Sequence, residues 1–97
     1  MLRVMNTKVE NDNETTLKRL YWHSRRGMLE LDLLLLPFAR DDLSSCDNRT
    51  LEKYRYLLEQ EDQDLFVWLT GREEAPVPVL REIVALVLEC ALKRRSE

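Results

Sequence analysis

Turn-forming residues and metal-binding chemistry are what this sequence has least of. Two glycines and three prolines in 97 residues are too few for the many tight turns of a β-rich domain, and 34% charged residues suit a compact helical one. No segment alternates apolar and polar residues strictly enough for a strand, and there is no internal repeat. His23 is the only histidine. With no second histidine or suitably spaced cysteine pair, a zinc or haem site is unsupported, and a lone helical histidine is more often a partly exposed polar residue. No glycine-rich loop offers a dinucleotide or phosphate cradle. No Ser-His-Asp or Cys-His arrangement can be argued, so no catalytic residue is assigned.

Cys46 and Cys90 are the only cysteines, and they form no Cys-x-x-Cys pair. Free thiols in a reducing compartment are expected. The longest apolar run, Leu33 to Ala39, is seven residues long and too short to span a bilayer. Met1 to Asn13 lacks the apolar core of a secretory signal and carries Glu10 and Asp12, which transit peptides avoid. These features predict a cytoplasmic protein without membrane insertion. A net charge of -3 argues against a chain built to neutralise nucleic-acid phosphates.

What is present is helical periodicity. The length fits one domain, residues 13–95, behind a flexible polar tail, residues 1–12. Asn13 or Thr15 can cap a first helix whose half-apolar face is Leu17, Leu20, Tyr21 and Ser24. Arg19 and Trp22 point elsewhere. Trp22 either packs on a neighbouring helix or stands out as a contact residue. A leucine-rich second helix is expected from about Met28 to Asp42, kinked or broken near Pro37. Asp41 to Ser45 reads as a connector. Asp47 is a good cap for a third helix, about Asn48 to Glu61, with Leu51, Tyr54, Leu57 and Leu58 inward. A short fourth helix from Asp62 to Gly71 concentrates Leu65, Phe66, Trp68 and Leu69. A fifth, from about Val79 to Arg95, has the stripe Leu80, Ile83, Val84, Val87 and Ala91, with Lys93, Arg94 and Arg95 at the negative end of its dipole. The fold class is all-α, a small bundle of about five short helices, and a monomer is expected.

The densest chemistry lies in Arg25-Arg26-Gly27-Met28-Leu29-Glu30-Leu31-Asp32. On a continuous helix Arg26 and Glu30 would share a face one turn apart, with Arg25 and Asp32 on the flank. Such a pair is often only solvated, and Gly27 can equally end a helix at a left-handed cap position.

Arg26-Gly27-Met28-Leu29-Glu30 also fits the Arg-Gly-x-x-Glu signature of the succinate dehydrogenase flavinylation assembly factors. Arg19 and Trp22 precede it, and Asp32, Leu35 and Phe38 follow it, as in that family. Leu57-Leu58-Glu59 and Asp62-Gln63-Asp64-Leu65-Phe66-Val67-Trp68-Leu69 resemble its second characteristic block. The resemblance, from about Leu17 to Gly71, implies a non-enzymatic assembly factor. It would bind the flavoprotein subunit of succinate dehydrogenase, and the related fumarate reductase subunit, and promote covalent attachment of FAD to a histidine of that partner. It implies partner-binding roles for Arg19, Trp22, Arg25, Arg26, Gly27, Glu30 and Asp32, and no cofactor belonging to the chain itself; direct FAD binding stays open. A general helical interaction module, such as an antitoxin-like regulator, is the competing class and would use the same face.

Overall fold

The structure, a computed structural model, describes residues 14–96. The polar tail and the capping residue Asn13 lie outside the described residues. Among the described residues five α-helices follow one another: α1 over residues 14–23, α2 Leu29–Pro37, α3 Asn48–Leu58, α4 Asp62–Leu69 and α5 Pro78–Ser96. No strand occurs among the described residues. The chain is an all-α bundle in which α2 packs on α4 and α5, and α3 packs on α5. No helix among the described residues is long and apolar enough to cross a membrane.

Each helix boundary has a local cause. Asp47 caps α3 by accepting the Thr50 N–H at 2.8 Å. Gly71, at φ +77°, ends α4 in the left-handed conformation. The Arg72 N–H then reaches Val67 O at 2.9 Å and the Gly71 N–H reaches Trp68 O at 3.2 Å, the paired bonds of a Schellman motif. Pro78 opens α5 at the position where a missing N–H costs nothing. Arg81 donates to Ala75 O at 2.9 Å and so holds the preceding loop against α5.

Of the kink or break expected at Pro37, no break occurs. The helical path widens into a π-turn over Phe38–Asp42, in which the Leu43 N–H bonds to Phe38 O, and tightens to a 3-10 turn over Leu43–Ser45. Proline provides no N–H for the carbonyl four residues back, and the altered turns absorb that loss without a break. Asp41 to Ser45 is therefore helical and not an open connector. The widening keeps Phe38, Ala39 and Leu43 in the core and brings Asp42 to Arg94 of α5, with which it forms an ion pair.

The core draws on the stripes anticipated on α3, α4 and α5, except that Ala91 of α5 is only half-buried. Leu31, Leu35 and Phe38 meet Leu51, Tyr54, Leu57 and Leu58 of α3, Leu65, Trp68 and Leu69 of α4, and Leu80, Ile83, Val84 and Val87 of α5. Phe66 is only half-buried, with the Arg72 guanidinium 5.1 Å from its ring centre. Two hydroxyls meet within the core: Ser24, fully buried, hydrogen-bonds the Tyr54 hydroxyl and donates to Leu20 O at 2.6 Å. The Tyr54 ring packs at 5.0 Å on Phe38. Burial in this apolar setting pushes the Tyr54 phenol well above its ordinary pKa.

Candidate protein-docking site

The site forms where α1 ends. Ser24 N–H closes the last turn on Leu20 O (2.9 Å) and Tyr21 O (3.1 Å), and the Arg25 N–H closes on Trp22 O (3.2 Å). Gly27 then turns the chain at φ +84°. An L-residue adopts that conformation only under strain. A side-chain carbon added at Gly27 would meet nothing within 4 Å, so backbone geometry within this chain, and not crowding, asks for glycine. Met28 is extended, and α2 starts at Leu29 with Glu30 and Asp32 in its first, electropositive turn.

This turn separates Arg26 from Glu30. They do not share a helix, and the one-turn spacing that would pair them does not exist. Arg26 instead looks inward. Its Nε donates to Asp62 Oδ1 at 2.8 Å, one terminal nitrogen to His23 O (3.0 Å) and Leu58 O (2.9 Å), and the other to Gln60 O at 2.9 Å. Its side chain is only 13% exposed. The planar guanidinium thus ties together the end of α1, the end of α3 and the start of α4, where helix-terminal carbonyls lack intrahelical partners. Asp32, placed by sequence on the helix flank with Arg25, accepts the Arg26 N–H at 2.8 Å and pins the turn to α2. Asp62 went unassigned from sequence because nothing local links it to Arg26, 36 residues away. Its only signal was its place at the head of the second characteristic block.

The other residues that the resemblance marks for partner binding face outward. Arg19, Arg25, Gly27 and Glu30 are exposed, and Trp22 is 65% exposed, touching Tyr21 edge-on at 5.8 Å. Of the two placements open for Trp22, the structure has the outward one. Leu29, at the start of α2, is 69% exposed. Arg19, Arg25 and Glu30 form no salt bridge with another described residue. An indole, an aliphatic side chain and unpaired charges of both signs around an open turn are the ingredients of a protein contact. Among the described residues no cluster of histidine, cysteine and carboxylate side chains could hold a metal ion.

The family described as "Flavinator of succinate dehydrogenase" matches residues 18–91. A "FAD assembly factor SdhE" of Pseudomonas aeruginosa is 51% identical over 77 residues, covering 79% of this chain and 92% of the relative. The protein of that name from Pseudomonas putida is 46% identical over 76 residues, covering 78% of this chain and 90% of the relative. That of Colwellia psychrerythraea is 42% identical over 87 residues, covering 81% and 92%.

Proposed function

This chain belongs to the family of flavinators of succinate dehydrogenase, and from that premise we propose that it promotes covalent attachment of FAD to the flavoprotein subunit of succinate dehydrogenase by docking on that subunit. The related fumarate reductase subunit is a second partner of the same kind. The chain works as a monomeric, non-catalytic assembly factor in the cytoplasm. It holds the flavin domain in a conformation where attachment proceeds, while the bond-forming chemistry belongs to the flavin and the partner. It needs no cofactor of its own.

The observation that carries this reading is the division of labour in the Arg-Gly-x-x-Glu stretch. Arg26 spends its hydrogen bonds inside the fold, and Glu30 has none there among the described residues. A solvent-exposed carboxylate beside a left-handed glycine contributes little to stability. It suits a charge-assisted bond across an interface. Arg26 and Asp32 set the shape of the turn. Arg19, Trp22, Arg25 and Glu30 meet the partner around it, and Gly27 lets the partner's backbone come close.

The test pairs folding with flavinylation. Glu30→Ala should keep its stability within about 0.5 kcal/mol and weaken flavoprotein-subunit binding by about 2 kcal/mol. Gly27→Arg should still fold, losing about 1–2 kcal/mol to its left-handed backbone, and should abolish docking through added bulk. Covalent flavin in the denatured subunit, read by in-gel fluorescence when each variant replaces the wild type, decides the matter. Full flavinylation with both folded variants would refute the assignment at its central motif.

A further inference from the structure

A second apolar surface lies away from the Gly27 turn. Leu33 of α2, Leu69 of α4, and Leu88 and Leu92 of α5 line an open groove of about 650 Å³, closed at one end by Arg94 and Arg95. Leu33 is 63% exposed and Leu92 is 62% exposed. Among the described residues, two arginines are the only charged side chains lining this groove, in a chain whose net charge is -3. One terminal nitrogen of Arg94 pairs with Asp42, while the other is buried and has no acceptor among the described residues. Arg95 is exposed and forms no salt bridge with another described residue, so it is the arginine an incoming carboxylate can pair with.

We propose that this groove is a second docking site, which receives an amphipathic helix of a partner protein bearing a leucine-type stripe and carboxylates at the end that meets Arg94 and Arg95. Two adjacent helices leave a channel into which a third packs ridge into groove, anchored at i, i+3 or i+4, and i+7. The carboxylates complement the arginines and fix the direction of docking. This site stands independently of the flavinylation reading.

The probe is a fluorescein-labelled synthetic helix of about four turns with leucines at the anchor positions and glutamates at one end, titrated with the full chain and followed by anisotropy. Saturable binding is expected. It should weaken at least about tenfold in the Leu33→Gln/Leu92→Gln double variant and in Arg95→Glu, with circular dichroism unchanged because all three residues lie on the rim or surface. Replacing the peptide's glutamates with lysines should weaken binding comparably, and Glu30→Ala should leave it unchanged. Absence of saturable binding, equal binding by the groove variants, or equal binding of the lysine peptide would overturn the proposal. So would a wild-type dimer that Leu92→Gln converts to monomer, since the groove would then belong to a second copy of this chain.

Discussion

Replacing Arg26 with alanine should destabilise the fold before it touches any partner. The substitution removes one ion pair and three bonds to main-chain carbonyls, and leaves Leu58 O and Gln60 O in a part-buried junction without the donor that reaches them. A hydrogen bond involving a charged group contributes about 1.5–3 kcal/mol. The terms do not add in full, because Asp62 is 39% exposed and water can replace part of what is lost. A net loss of about 2–4 kcal/mol is expected, a large share of the stability of a domain this size. At about 4–8 °C per kcal/mol, the melting temperature should fall by about 8–32 °C. Two companions separate the parts. Asp62→Asn removes the ion pair and keeps the carbonyl bonds, so it should cost about 1 kcal/mol or less, and less still at high salt. Arg26→Lys keeps a cation but not the planar fork, so it should recover under half of the alanine loss. Urea unfolding followed by circular dichroism gives all three values. If Arg26→Ala melts within about 0.5 kcal/mol of wild type, the four internal bonds carry no stability and Arg26 is a contact residue after all.

Leu65→Ala should cost about 2–5 kcal/mol, as expected of a fully buried leucine. Half-buried Phe66, rimmed by Arg72, should cost about 1–2 kcal/mol when cut to alanine, so equal melts for the two variants would contradict the packing of α4. Because the Tyr54 phenol ionises at a higher pH in the folded chain than in the unfolded one, the folded state retains a proton that the unfolded state releases above the ordinary tyrosine pKa. Stability should therefore fall as pH rises past about 10, and Tyr54→Phe should flatten that part of the profile in urea midpoints measured across alkaline pH. Burial raises the pKa of both free thiols, Cys46 and Cys90. Thiol titration at neutral pH should thus be slow in the folded protein and give two equivalents on unfolding; recovery of a disulfide from fresh lysate would refute the expectation of free cysteines.

Most of the helices could be placed from sequence because their causes are local. A helical stripe, an Asp47 cap or a Gly71 stop acts within one or two turns, so Leu51, Tyr54, Leu57 and Leu58, or Leu80, Ile83, Val84 and Val87, announce their own burial. The same holds for Gly27 as the point where the chain turns. The chain path beyond Pro37 was less legible, since a missing N–H permits a kink, a break or a wider turn, and packing of Phe38 and Leu43 selects among them.

The Arg-Gly-x-x-Glu stretch divides along the same line. Composition and spacing left it open between a solvated pair and a contact; the family resemblance singled it out, and the exposure of Trp22 and Glu30 agrees with a contact surface. Which of its charges face outward is not a local property. Arg26 and Glu30 are equally polar in sequence, and only the docking of α3 and α4 brings Asp62 and the carbonyls of Leu58 and Gln60 within reach of one of them. Sequence by itself determined the helices, their stripes and the position of the turn, because those depend on neighbours along the chain. Tertiary structure decided that Arg26 holds the bundle together, that Ser24 and Tyr54 share a buried hydrogen bond, and that Leu33 and Leu92 flank one open groove, because each depends on partners tens of residues away.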